Sequence, residues 1–291
     1  MFDISEYFKA KSVEDAVKFL AAQPGAKLIA GGTDVLVKLR HHDGKYRNLV
    51  DIHDLPDLKK CYVEGSKLFL GSGLTFSEIM ANELVRRHIP VLAEASGTVA
   101  GPQIRNMGTV GGNIANGATS ADTAGPMLVL EPELLIQGPK GQRKAPIDGF
   151  HTGPGQVSLA ADEVLIGFEF NLDRLNGLGA SYYKYAMRSA MDIATIGCAA
   201  GVTLENGIIK ELRLALTVAA PTPIRCRTAE AAALGQSLTD DLLAKIKKAL
   251  DEDIKPRTSW RASREFRTRI IKTLAERMIR VSARISEEGR K

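Results

Sequence analysis

The chain has 291 residues, 44% of them apolar and 25% charged, which is enough to bury a full core in two domains and argues against a disordered or fibrous class. Its net charge of +5 is concentrated at the end: residues 255–291 hold twelve Lys/Arg against four Glu, so residues 1–254 carry a net −3. No aromatic platform is interleaved with that basic tail, so nucleic acid is not an expected partner. The opening Met-Phe-Asp-Ile-Ser-Glu lacks a basic region leading into an apolar run, and no later stretch approaches the ~18 apolar residues of a membrane span. A cytoplasmic chain with no membrane partner is therefore expected. Cys61, Cys198 and Cys226 are too widely spaced for a disulfide framework or a metal ligand set and read as buried thiols.

Ser12 ahead of Glu14 and Asp15 predicts a capped helix start, with Val13, Ala16, Val17 and Leu20 on one face and a stop at Pro24-Gly25. A short strand over 27–30 then carries the turn Gly31-Gly32-Thr33-Asp34 into the apolar run 35–39. A polar loop through His41-His42-Asp43 and a strand over 48–52 follow, and a small α/β subdomain ends near Leu58. Adjacent side chains converge poorly on one ion, so His41, His42 and Asp43 read as loop decoration, not a metal site. Residues 67–70 read as a strand. Thr75-Phe76-Ser77-Glu78 is a capping box opening a helix to about Arg87, and a second helix over 91–100 delivers Gln103-Ile104-Arg105-Asn106 and then Thr109-Val110-Gly111-Gly112-Asn113. The small residues from Asn113 to Ala121 suit close approach by a flat ligand, and strands are expected over 127–130, 134–137 and 164–170. After a polar link over 171–177, a new domain opens near Leu178 with residues 180–185 and a loop over 187–192; strands over 194–202, 207–213 after the Glu205-Asn206-Gly207 turn, and 214–220 then precede helices over 240–251 and 263–283. Near and within the last helix, Arg261, Arg264, Arg267, Lys272, Arg277 and Arg280 alternate with apolar residues. They form either a solvated face or a docking surface for an acidic partner.

The two glycine stretches read as anion-handling turns. Adjacent glycines admit positive φ and bring backbone N–H groups close to a phosphate, and Thr33, Thr109 and Asn113 add side-chain donors. Neither stretch has the spacing of the nucleotide-triphosphate loop or of the Rossmann fingerprint. Taken together, Ala30-Gly31-Gly32-Thr33-Asp34 and the run from Gln103 through Thr109-Val110-Gly111-Gly112-Asn113-Ile114 to Ser120-Ala121-Asp122 resemble the flavin subunit of the molybdenum hydroxylases, the xanthine dehydrogenase and carbon monoxide dehydrogenase family. The resemblance extends along nearly the whole chain and is nearest to FAD-binding subunits of bacterial xanthine dehydrogenases.

That resemblance implies an α+β fold. A two-subdomain FAD-binding domain of the PCMH type spans 1–176, in subdomains of about 1–58 and 59–176, and a C-terminal antiparallel sheet with helices spans 177–291. It implies non-covalent FAD, whose pyrophosphate and ribityl chain lie along Lys27, Leu28, Ile29, Ala30, Gly31, Gly32, Thr33 and Asp34 and along Thr109, Val110, Gly111, Gly112 and Asn113. By the same resemblance Asp122 faces the adenosine side and Leu165 packs near the adenine. Lys184 lies close to the isoalloxazine, where its charge would raise the flavin's potential. Val99 stands where animal members carry an aromatic residue, so no stacking from that position is implied, and Ala115 leaves ring access open. The flavin carries the redox chemistry, so no nucleophile or acid–base pair is required. Molybdopterin and two [2Fe–2S] clusters are implied on a large and a small partner subunit, in a heterotrimer or a dimer of heterotrimers. Electrons would pass through FAD to NAD⁺, with xanthine or hypoxanthine as substrate. The absence of a four-cysteine loop disfavours the branch that reduces aromatic thioesters. Two other readings stay open: a self-sufficient flavoenzyme with its own substrate acid or base, and a non-catalytic assembly subunit.

Overall fold

Three larger β-sheets, each with its own apolar core, organise the chain, and the computed structural model describes residues 2–289 of it. The first unit runs β1 (Glu6–Lys9), α1 (Val13–Ala22), β2 (Lys27–Ile29), α2 (Val35–Arg40) and β3 (Asn48–Asp51). Its sheet is parallel in the order β1-β3-β2. Ser12 caps α1 by accepting from Asp15 N at 3.1 Å, and Val13, Ala16, Val17 and Leu20 are the buried face, as the spacing predicts. The apolar run after Asp34 is the helix α2.

The second unit holds β4 (Cys61–Glu64), β5 (Lys67–Gly71), α3 (Phe76–Ala81), α4 (Glu83–His88), α5 (Pro90–Gly97), α6 (Pro102–Met107), α7 (Val110–Ala115) and α8 (Ala124–Leu130). It continues through β6 (Glu133–Gly138), β7 (Gly141–Pro146), β8 (His151–Gly153), β9 (Gln156–Val157), β10 (Val164–Asn171) and the short α9 (Leu172–Leu175). Its antiparallel sheet has the order β4-β5-β10-β6-β7. Both members of the Thr75–Glu78 capping box are present. The helix expected to run to Arg87 is broken at Asn82, whose extended backbone ends α3 and whose Oδ1 accepts from Leu84 N and Val85 N to start α4. The helix expected over 91–100 likewise ends at Gly97, and α6 is separate. Residues 127–130, expected as a strand, belong to α8. An all-apolar run shows no period, and a helix closes its own backbone hydrogen bonds where it is buried between α5 and the sheet of the third unit. All seven residues of α8 are buried.

The third unit is the antiparallel sheet β11 (Leu178–Tyr185), β12 (Ile196–Glu205), β13 (Ile208–Thr217) and β14 (Ile224–Arg225), followed by α10 (Arg227–Ala233), α11 (Asp240–Asp253) and α12 (Arg264–Glu288). The two strands expected over 207–213 and 214–220 are the single strand β13, which pairs with β12 along its length because nothing at Arg213-Leu214 interrupts the ladder. One face of this sheet packs on α8 through Ala199 and Ala215, and the other carries Cys198, Leu214 and Leu216 against α10 to α12. The buried Cys198 and Cys226 belong to this core, and burial pushes the Cys198 thiol up to about 12.

Arginines from the third unit clamp the C-terminus of α8. Arg225 Nη1 donates to Leu128 O at 3.0 Å and to Glu131 Oε1 at 2.7 Å, and Arg213 Nη1 donates to Val129 O at 2.9 Å. These bonds satisfy end carbonyls that the helix itself leaves open. Glu131 sits just past the helix in the left-handed region, at φ 51°, and takes a third arginine, Arg174, at 3.1 Å. Burial opposes its charge, but Arg213, Arg225 and Arg174 outweigh that and hold its carboxyl below the usual range. On α12, Arg267 is buried and so is not part of a solvated face. Arg290 and Lys291, counted in the basic tail, lie outside the described residues.

Candidate functional site

A groove of about 390 Å³ runs between the first and second units. One wall is the β2–α2 connection, and the other is formed by the α6–α7 turn, the end of β5 and residues 157–165 ahead of and within β10. Among the residues expected at a site, Lys27, Leu28, Ala30, Gly31, Gly32, Thr33, Asp34, Thr109, Gly111, Gly112, Asn113 and Leu165 line it, as do Val99 and Ala115. Ile29 and Val110 do not, and Val110 is fully buried in the core of the second unit.

The two glycine motifs differ in what they offer an anion. At the first, the N–H groups of Gly31, Gly32, Thr33, Asp34 and Val35 have no acceptor among the described residues, and the Asp34 side chain makes no capping bond that would occupy one. At the second, Val110 N donates to Leu74 O, Gly111 N to Ser72 O, Gly112 N to Thr109 Oγ1 and Asn113 N to Thr109 O, at 2.8–3.0 Å. Asn113 Oδ1 is held by Thr123 Oγ1 at 2.6 Å. The expectation that both stretches cradle phosphate with free N–H groups is therefore corrected. The first presents donors, and the second is the start of a helix with its donors satisfied, forming a wall.

The glycines are also needed for a different reason than predicted. Gly31 and Gly111 do not have positive φ; Gly32 does, at +72°. A Cβ on Gly31 would lie 1.9 Å from Met107 O, and one on Gly111 would lie 2.5 Å from Ser72 Cβ, so both are small because backbone segments touch there. The contact at Gly31 joins the first motif to the segment just before the second, and so fixes the groove's width. Leu165 is placed by Ser72, whose Oγ donates to Leu165 O at 2.7 Å while its N–H donates to Ile166 O.

Sequence reasoning missed Lys38 and Tyr46. Lys38 lies one helical turn past Asp34 on α2 and lines the groove; its Nζ donates to Tyr46 Oη at 2.7 Å. Lys27 and Lys38 are groove-lining cations with no carboxylate partner among the described residues, which suits a ligand carrying two phosphates. Recognising α2 as a helix would have put Lys38 on the same side as Asp34.

Asp122 and Lys184 lie elsewhere. They pair at 2.7 Å with both side chains only 9% exposed, bridging the second unit to β11. Lys184 Nζ also donates to Thr98 O at 2.9 Å and Tyr182 Oη donates to Asp122 Oδ1 at 3.1 Å. Burial pushes the Asp122 carboxyl up, and Lys184 and Tyr182 only partly offset it. Two atoms in direct contact cannot serve opposite ends of an extended dinucleotide, so the split assigned to them, adenosine for Asp122 and ring for Lys184, is withdrawn in favour of one junction. The Lys184 charge is also neutralised there, so it is not a free cation beside a ring. Among the described residues, no three His, Cys, Asp or Glu side chains are placed to hold a metal ion, and no helix is long and apolar enough to cross a membrane.

Comparison with known proteins bears on this groove. The family described as the FAD binding domain in molybdopterin dehydrogenase matches residues 2–170, and the CO dehydrogenase flavoprotein C-terminal domain matches 181–281. The chain is 50% identical over 280 residues to the xanthine dehydrogenase FAD-binding subunit of Escherichia coli O157:H7, covering 96% of each. It is 30% identical to the carbon monoxide dehydrogenase medium chain of Hydrogenophaga pseudoflava, covering 94% of this chain and 95% of the relative. Among solved structures it is similar to carbon monoxide dehydrogenase from the same organism, with a TM-score of 0.93 at 31% identity over 97% of this chain and 98% of the other.

Proposed function

The chain belongs to the FAD-binding family of the molybdopterin dehydrogenases, and from that premise we propose that it carries electrons through FAD in a purine-oxidising molybdenum hydroxylase, with NAD⁺ as acceptor. The fit of the groove to FAD rests on one observation above all: five consecutive backbone N–H groups, Gly31 to Val35, are free beside Lys27 and Lys38. Those donors would hold the pyrophosphate. Thr109 to Asn113 would form the facing wall, and Leu165 would bound the apolar end. When bound, the flavin supplies the hydride and electron chemistry, and this chain's residues bind it, orient it and exclude water from one side. In this reading molybdopterin and the iron–sulfur clusters sit on a large and a small partner subunit, the purine site lies on another chain, and the assembly is a heterotrimer or a pair of them. The 50% identity to a xanthine dehydrogenase subunit supports xanthine or hypoxanthine as the substrate of the whole.

The test begins with the isolated chain, which is expected to bind FAD that acid precipitation releases. It is expected to reduce an artificial dye with NADH and to oxidise no purine until the partner subunits are added. Purine oxidation by the lone chain would overturn the assignment in favour of a self-sufficient flavoenzyme. A colourless chain that fails to take up added FAD would favour an assembly role.

A further inference from the structure

The basic residues at the end of the chain are not equivalent. Lys272 pairs with Asp251 at 2.7 Å, and Arg280 pairs with Asp240 and Glu276. Arg277 lies over the Tyr183 ring. Most of the charge on the body of α12 is thus engaged within the chain. The corner ahead of the helix is different. Arg257, Arg261, Arg264 and Arg267 gather where residues 254–263 turn into α12, and none of the four is in an ion pair among the described residues, Arg264 alone feeling the attraction of the exposed Glu265.

Arg267 is the telling member. It is 2% exposed; its Nη1 donates to Thr195 O and its Nη2 to Ser259 Oγ at 2.9 Å, while its Nε has no acceptor among the described residues. The Nε of Arg261 is also buried without one. Arg257 and Arg261 press on Arg267 with like charge, and the N-terminus of the 25-residue α12 adds a field of the same sign. A buried cation with no counter-charge is costly, so the corner is electrostatically incomplete as it stands. Beside it, Trp260 is 77% exposed with the Arg261 guanidinium 4.2 Å from its ring centroid, and Phe266 is 42% exposed near Tyr185.

We propose that this corner docks an acidic segment of a partner chain, whose carboxylates pair with Arg257 and Arg261 and so offset the charge of the buried Arg267 behind them, while its apolar residues cover Trp260 and Phe266. The proposal rests on reading the chain as one subunit of a larger enzyme. A small anion would answer the charge but leave two aromatic side chains in water. Exposed Trp and Arg side by side are the residue types that dominate binding energy at protein interfaces.

The test uses the complex of this chain with the large and iron–sulfur subunits. Arg257→Glu/Arg261→Glu and Trp260→Ala are compared with wild type and with Lys140→Glu, a control on the exposed β6–β7 turn, by co-elution on size exclusion at physiological and at high salt. Each of the two test variants is expected to weaken association roughly tenfold or more, with high salt weakening wild type in the same direction and the control unchanged. Flavin content of the isolated variants is expected to match wild type, and the Tm of Arg257→Glu/Arg261→Glu is expected not to fall, since the like charge on Arg267 is relieved. Undiminished assembly of both variants, with wild type assembling, would overturn the docking site alone. So would stabilisation of the isolated chain by inorganic phosphate that depends on Arg257 and Arg261 and leaves assembly untouched, which would reassign the corner to a small anion. Failure of the wild-type chain to join those subunits at all would instead remove the subunit reading, and the docking site with it.

Discussion

Replacing Gly31 with alanine perturbs the groove without adding charge or altering a polar group. The new Cβ would lie 1.9 Å from Met107 O and 2.6 Å from its carbonyl carbon, where ordinary contact begins at 3.4 Å. The β2–α2 connection must therefore withdraw by about 1.5 Å from the segment ahead of α7, moving the free N–H groups away from the facing wall. Forced overpacking of this kind costs ~1–3 kcal/mol. If that cost falls on the bound state, FAD affinity drops by ~5- to 150-fold. Two companions separate width from other effects. Gly32→Ala meets the flexible Leu36 side chain at 3.3 Å and Ile29 Cδ1 at an ordinary 3.6 Å, so its cost is the left-handed backbone, ~1–2 kcal/mol, with no wall displaced. Gly111→Ala drives into Ser72 within the core, so its loss is read first in Tm. The assay is flavin per chain after exhaustive dialysis, an FAD titration of the apo chain, and its melting temperature. Gly31→Ala is expected to lose more affinity than Gly32→Ala and less stability than Gly111→Ala. Wild-type FAD affinity in Gly31→Ala would refute the argument that this contact sets the groove.

Four further outcomes follow from buried and half-buried polar groups. Arg225→Ala strips Leu128 O and Glu131 of a partner and is expected to cost ~3–5 kcal/mol in denaturant unfolding; a loss below ~1 kcal/mol would show that the clamp on α8 is ornamental. Because the Glu131 carboxyl is held below its usual range, the clamp's contribution is complete above the unfolded value of ~4.3 and is lost as pH falls through the lower folded value, and Glu131→Gln is expected to flatten that acid limb. His151 is buried, which lowers its pKa against a weaker opposing bond from its Nε2 to Ile114 O at 3.1 Å. Its contribution is present above ~6.5 and declines as pH falls from there to the folded value; an unchanged stability slope in His151→Gln across that window would count against it. Asp122→Asn and Lys184→Met each leave a buried charge alone, so each is expected to cost ~3–5 kcal/mol while the double variant recovers most of the loss. Additive losses in that cycle would contradict a direct pair.

Legibility in the sequence followed from whether a signal was local. Ser12, Thr75 and the Asn206-Gly207 turn carry their own instructions, caps and left-handed turn residues, and each lies where it was read, with Asn206 and Gly207 at φ 52° and 76°. The 127–130 run was misread because an apolar stretch acquires its period only from what covers it, and the sheet that covers α8 is distant in sequence. At the groove, the motif residues were legible as a set, but their division of labour was not. Whether a backbone N–H is free depends on the carbonyls of Ser72 and Leu74, which no spacing near Gly111 reveals. The Asp122–Lys184 contact, 62 residues apart, was invisible for the same reason, and so was the pairing of Lys272 and Arg280 with acids on α11.

The groove takes its walls from residues 26–38, 72–76, 104–116 and 157–165 together with Tyr46, Ile52, Leu58 and Val99, and none beyond Leu165 lines it. That ordering has a consequence for how the protein is made. A chain emerging from the ribosome has no cradle after its first glycine motif, nor after its second; the last wall arrives with β10, while the third unit has yet to emerge. The cofactor can therefore meet a finished binding surface before Arg213 and Arg225 have emerged to clamp α8 and before Lys184 has emerged to meet Asp122. Loading and closure can thus be consecutive events along the time axis of synthesis, and a nascent chain whose emerged part ends just past Asn171 is the shortest that holds every wall of the groove.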